Sequence, residues 1–162
     1  MLLSRGRIHR AIPGPSIIPD RVLQSMNKQA PNIYETEVAE ITESILKDLS
    51  HFAKTSGETV IYISNGHGAW EASIANLFNQ QDRILVIATG EFGKGWASLA
   101  KKMGLEVILL DFGPEGVINF NRLESILRSD KNYKIKGLVT VHADTASSVL
   151  NNLKTIRNVI DI

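Results

Sequence analysis

Thr59–Phe78, TVIYISNGHGAWEASIANLF, is the stretch of this 162-residue chain on which the reading of the fold turns. Thr59–Ser64 is a short β-branched run of the kind that forms a strand buried on both faces. A polar, glycine-broken turn follows, Asn65-Gly66-His67-Gly68. Ala69–Phe78 then sets Ala72, Ala75 and Phe78 at a helical spacing, with Glu71 in the first turn. The expected unit is strand, tight turn, helix. Such a turn aims the first free N–H groups of the helix and the positive end of its dipole outward, a place for a phosphate or other anion. Gly66 and Gly68 would let the backbone approach a ligand closely. The same glycines also suit a plain tight turn, and the pattern alone leaves both readings open.

Downstream, short apolar runs alternate with amphipathic ones. Strands are expected at Arg83–Ala88, Leu105–Asp111 and Gly137–His142, and helices at Gly93–Met103, Asn119–Ser129 and Val149–Ile160. Gly104 is a C-terminal stop, and Asn119 or Asn121 a cap for the helix that turns Leu123, Ile126 and Leu127 inward. This alternation predicts an α/β fold with a parallel sheet covered on both faces. Ligands of such sheets lie at the carboxyl ends of the strands, which singles out Asn65–Gly68, Thr89–Gly93 and His142–Ser148. Upstream, residues 1–34 read as an extended arm, rich in proline and opening with Arg5, Arg7 and Arg10, then a short helix over Asp20–Asn27. Glu35–Phe52 is the clearest helix, with Val38, Ile41, Ile45, Leu49 and Phe52 on one face.

The totals exclude several classes of function. A net charge of +1, with scattered Lys and Arg, gives no electrostatic case for nucleic acid or an acidic membrane. No apolar run approaches the ~18 residues that span a bilayer. The first residues lack the apolar stretch of a secretory signal, so a cytoplasmic location is expected. The absence of cysteine removes disulfides, thiolate nucleophiles and Cys-based metal sites, and the four histidines show no metal-pair spacing. A dinucleotide fold would want an acidic residue closing the second strand; here that strand ends Ile87-Ala88-Thr89-Gly90, and Glu91 lies past it. Gly-x-Ser-x-Gly is absent. His67 fits a ligand, a base, a stacking group or a solvated turn residue, and His142 a half-buried histidine. Trp70 and Trp96 read as packing groups, whereas Phe92, in a loop at a strand's carboxyl end, is placed to stack on a planar ligand.

Taken together, these loops resemble the class V aminotransferases, pyridoxal phosphate enzymes of fold type I, and within them the serine–glyoxylate and alanine–glyoxylate transaminases. The resemblance runs through Arg5-Gly6-Arg7-Ile8-His9, Pro13-Gly14-Pro15-Ser16, Ile18–Leu23 and the helix Glu37–Leu49. It continues through Asn65–Ala72, like the family's cofactor-phosphate turn, and Gly90-Glu91-Phe92-Gly93, like its ring-stacking loop. It ends at Lys134–Lys136 and Val141-His142-Ala143-Asp144-Thr145, like the fourth strand and its E-T-S-T-G loop.

The resemblance implies that the N–H groups of Gly66, His67 and Gly68 hold the phosphate of pyridoxal 5'-phosphate, that Phe92 lies on its ring and that Thr145 contacts it near the ring hydroxyl. It implies amino acid and 2-oxo acid substrates, with serine or alanine as donor to glyoxylate, and a homodimer at full length. Two departures stand out. Asn32-Ile33-Tyr34 replaces an Asp-His-Arg-like loop, and Asp144-Thr145-Ala146-Ser147-Ser148 lacks the final glycine. Family members are also more than twice as long. Their cofactor-anchoring lysine, the aspartate facing the pyridine nitrogen and the small domain come after the stretch matched here. Residues 35–162 are therefore expected to be an incomplete cofactor-binding large domain, with no catalytic residue and no metal, and inactive alone. Another class V enzyme, or a non-catalytic module keeping the phosphate cradle, are the alternative readings.

Overall fold

The computed structural model describes residues 11–113 and 116–161. Arg5–His9 and the start of the expected arm lie outside the described residues. The chain divides into two compact units, Met1–Ile63 and Ser64–Ile162.

The first unit holds α1 (Asp20–Met26) and α2 (Thr36–Ala53). Both were expected from sequence, α2 from its helical spacing. Lys54, in the left-handed region, stops α2 and returns its N–H to the carbonyls of His51 and Ser50. The face that carries Ile41, Ile45, Leu49 and Phe52 is exposed.

Residues 59–63 correct the opening expectation. They form no strand, and Val60, Ile61, Tyr62 and Ile63 are exposed. A β-branched run becomes a strand only beside a partner that takes its N–H and C=O groups. No described strand pairs with this one.

The second unit is built on α3 (Gly66–Leu77), β1 (Arg83–Ala88), α4 (Glu91–Lys102), β2 (Glu106–Asp111), α5 (Phe120–Ser129) and β3 (Ile135–Thr140). A hairpin, β4 (Ala143–Asp144) and β5 (Val149–Leu150), and a last helix, α6 (Leu153–Ile160), follow. The main sheet is parallel, in the order β2-β1-β3. Its central strand, β1, is buried from Ile84 to Ala88, and its alternation divides the core in two. Ile84 and Val86 pack with Ile74, Ala97, Ala100 and Leu105, under α3 and α4. Leu85 and Ile87 pack with Leu110, Ile118, Leu123 and Ile156, under α5 and α6. The expected sheet covered on both faces is present, with its carboxyl ends at Ala88, Asp111 and Thr140 on one edge.

Several boundaries differ from the sequence reading. α4 begins at Glu91 and not at Gly93, so Phe92, expected in a loop, lies in the first turn of a helix. α3 begins at Gly66, so the glycine-broken turn is the first turn of the helix itself. The strand expected at Gly137–His142 runs instead over Ile135–Thr140. The helix expected from Val149 begins at Leu153, where the Asn152 side chain accepts the Thr155 N–H. Val149 and Leu150 pair antiparallel with Asp144 and Ala143.

Candidate functional site

The sheet's carboxyl edge gathers the N-termini of α3 and α4 and the β4–β5 turn. At α3, the Asn65 carboxamide oxygen accepts the His67 N–H at 3.1 Å, and the Asn65 carbonyl accepts the Gly68 N–H at 3.0 Å. Of the three N–H groups singled out from sequence, His67 and Gly68 thus serve the cap, and the Gly66 N–H has no partner among the described residues. Gly66 faces open space, since a Cβ there would meet nothing within 4 Å. Gly68 does not: a Cβ would fall 2.1 Å from Ser64 Oγ, so the chain entering α3 lies directly against this glycine.

Trp70 links the two helices. Its ring stacks on Trp96 at 5.5 Å between centroids and 12° between planes, and Gly95 leaves room for it on α4. The His67 ring meets Trp70 edge-on at 4.4 Å, and the Phe92 ring also meets it edge-on at 6.1 Å. The two tryptophans are packing groups, as their sequence context suggested. Through them His67 and Phe92 belong to one aromatic row at the mouth of the sheet. Phe92 keeps 37% of its surface open.

The N-terminus of α4 has a different cap. Gly90, at the N-cap position, has no side chain to offer. The carboxylate of Asp144, reaching over from β4, accepts the Phe92 N–H at 3.0 Å and the Gly93 N–H at 3.1 Å on Oδ2. Its Oδ1 accepts the Ala146 N–H at 3.1 Å. Asp144 is 1% exposed, and a Cβ on Gly90 would lie 2.4 Å from its Cγ. Thr145, next to it, is exposed at the start of the turn.

Two helix dipoles therefore point at this edge, and one already holds an internal carboxylate. An incoming anion finds its free donor at α3. Lys94, in the first turn of α4, is held between two carboxylates, Glu91 Oε1 at 3.2 Å and Asp111 Oδ2 at 3.5 Å, which balance its charge. The hydrogen bond to Glu91 and then the Asp111 charge raise its pKa.

Behind the turn, Asn151 is 3% exposed and ties two strand ends together. Its amide donates to Thr89 Oγ1 at 2.9 Å and to the Val141 carbonyl at 2.8 Å, while its backbone N–H reaches the His142 carbonyl at 2.7 Å. Sequence reasoning missed Asp144 and Asn151 as organisers of this edge. A usable signal for the first was the glycine at the α4 N-cap, because a helix without its own cap needs one from elsewhere. No group of three potential metal-binding side chains occurs among the described residues. No described helix is long and apolar enough to cross a membrane.

The family model described as "Aminotransferase class-V" matches residues 12–161. The chain belongs to the class V aminotransferase family. Among curated members it is 31% identical over 157 residues to the serine–glyoxylate aminotransferase of Methylorubrum extorquens, covering 96% of this chain and 39% of that protein. The serine–glyoxylate aminotransferase of Arabidopsis thaliana gives the same identity and the same coverage of both chains, 96% and 39%. Among solved structures, pyridoxamine–pyruvate aminotransferase from Mesorhizobium loti superposes with a TM-score of 0.84 at 19% identity, over 95% of this chain and 39% of that one. This class V chain thus spans about two-fifths of the length of the relatives it matches.

Proposed function

We propose that this chain forms the phosphate-and-ring-face part of the pyridoxal 5'-phosphate site of an aminotransferase that passes an amino group from serine or alanine to glyoxylate. The observation that carries this is the pair of helix N-termini: one closed by Asp144, the other opening on Gly66, whose N–H has no partner among the described residues and where a Cβ would meet nothing within 4 Å. Family membership and the two serine–glyoxylate relatives support the choice of reaction.

The residues present fit the cofactor. The Gly66 N–H and the α3 dipole would hold the phosphate, with His67 and Gly68 fixing the turn through Asn65. Phe92, propped by Trp70, would offer its ring to the pyridine face, and Thr145 its hydroxyl to the ring substituents. When bound, the cofactor supplies an electron sink for the substrate's α-carbon. What these residues contribute is binding and orientation; the groups that anchor the cofactor covalently and move protons belong to the part of the relatives' length that this chain does not span. In the assembled enzyme we place the site at a homodimer in the cytoplasm, with amino acid and 2-oxo acid substrates. As a domain arrangement we propose an arm and short helix over 1–34, followed by the large domain.

The test is a titration of the 162-residue chain with pyridoxal phosphate and, separately, with inorganic phosphate, followed by borohydride reduction. Saturable binding that phosphate competes away, with no lysine adduct after reduction, is the expected result. A stoichiometric adduct on one lysine would mean that this chain carries the anchoring group itself. Absence of competition would remove the α3 turn from the site.

A further inference from the structure

The cap on α4 is unlike its neighbours. α3, α5 and α6 each take a cap from their own Asn65, Asn119 and Asn152. The α4 cap comes from a strand far along the chain, is buried, and bonds three backbone N–H groups. Two of those belong to Phe92 and to Gly93 beside it, and the third to Ala146, next to Thr145. The β4–β5 pairing of Asp144 with Val149 fixes the strand from which the carboxylate comes.

We propose that Asp144 is a positioning residue that sets Phe92 and Thr145 relative to each other, through the N–H groups of Phe92, Gly93 and Ala146. This rests on the reading above, in which both side chains face the cofactor. The carboxylate has no ion-pair partner among the described residues, so the N–H groups and the α4 dipole are what stabilise its charge where it lies. That couples it to the Phe92 backbone more tightly than a solvated cap would be. Gly90 belongs to the same device, because a side chain there would occupy the space of the carboxylate. Phe92 is in turn the ring against Trp70, so a displaced Phe92 backbone also releases the exposed end of the aromatic row.

Two variants test this in the full 162-residue chain. Asp144→Asn keeps the shape and removes the charge; Gly90→Ala keeps the charge and pushes it away. Both are read by amide hydrogen exchange and by separate titrations with pyridoxal phosphate and inorganic phosphate. In both variants the Phe92 and Gly93 amides should exchange about tenfold faster or more, while Leu85 and Val86 in β1 keep their protection. Affinity for pyridoxal phosphate should fall about tenfold with that for inorganic phosphate unchanged, since phosphate alone needs only the α3 turn. Unaltered exchange at Phe92 in a folded variant would overturn the proposal. So would equal losses for the two ligands, the result of a merely structural role. If the unaltered chain binds the two ligands with equal affinity, the cofactor reading fails by itself, and the exchange data still decide whether Asp144 holds Phe92.

Discussion

Ser148 closes the β4–β5 turn with φ +60, a left-handed conformation in which an L side chain crowds its own carbonyl. The loop that this segment resembles ends in glycine, where this chain has serine. The backbone keeps a glycine-like conformation with serine in it. Ser148→Gly should therefore stabilise the chain by about 0.5–1 kcal/mol, read as a higher urea midpoint; no gain would show that Ser148 sits in this region without strain. Asp130 offers a pH test. Its carboxylate accepts the Ile135 N–H at 2.7 Å and the Lys134 N–H at 3.1 Å at the entry to β3. The Ile135 hydrogen bond, above all, holds its pKa below the ordinary 3.8, against a smaller desolvation effect. A carboxylate whose folded pKa is depressed stabilises the fold above its unfolded pKa, and loses that contribution as pH falls through the folded value. Urea midpoints collected from neutral pH down to about pH 3 should show Asp130→Asn flattening the acid limb of the curve. An unchanged acid limb would remove Asp130 from the account.

At the scale of elements, Asn151 joins β1 to the end of β3 through a buried amide. Asn151→Ala would leave the Val141 carbonyl without that donor and open a small cavity, and should cost about 2–3 kcal/mol in urea unfolding. A cost near zero would mean that water takes over both bonds. The start of α3 gives a cycle. Gly68→Ala drives a Cβ into Ser64 and should destabilise by about 1–3 kcal/mol, and adding Ser64→Gly should recover most of it. Additive losses would show that the crowding comes from elsewhere. These elements also show what the sequence made legible. β1 was readable to the residue because its apolar run Ile84–Ala88, entered through Asp82-Arg83 and left through Thr89-Gly90, has little freedom of register. α5 was readable because Asn119 caps it and Leu123 faces the core. The Thr59–Ser64 strand failed for a reason outside the stretch: its propensity is real, but its partner is not among the described strands. Of the β4–β5 hairpin, β4 lay in the expected loop His142–Ser148 and β5 in a pattern that also suits a helix, and only the Asn152 cap marks where the helix begins. Phe92 was visible as an aromatic just past a strand's carboxyl end, although it sits in the first turn of α4 and not in a loop. Asp144 was not, because its partners on α4 lie 51 and 52 residues away and leave no local spacing to read.

For the molecule as a whole, the apolar surface that stays in water is concentrated in the first unit. Ile41, Ile45 and Phe52 on α2 are exposed, as are Val60, Ile61, Tyr62 and Ile63 after it. Exposed apolar side chains in this number favour association. The purified chain should show concentration-dependent light scattering, reduced by Ile45→Lys together with Phe52→Lys; a soluble monomer that unfolds cooperatively would contradict this. The remote cap on α4 also bears on the order of events during synthesis. β1, α4 and β2 are neighbours in sequence and can meet early. The first turn of α4 stays open until Asp144 has been made, so for that interval its N–H groups face water. The aromatic ring at the mouth of the sheet is therefore among the last parts to settle. In refolding kinetics Asp144→Asn should speed unfolding and leave the folding rate almost unchanged, a φ-value near zero at a buried, doubly bonded helix cap.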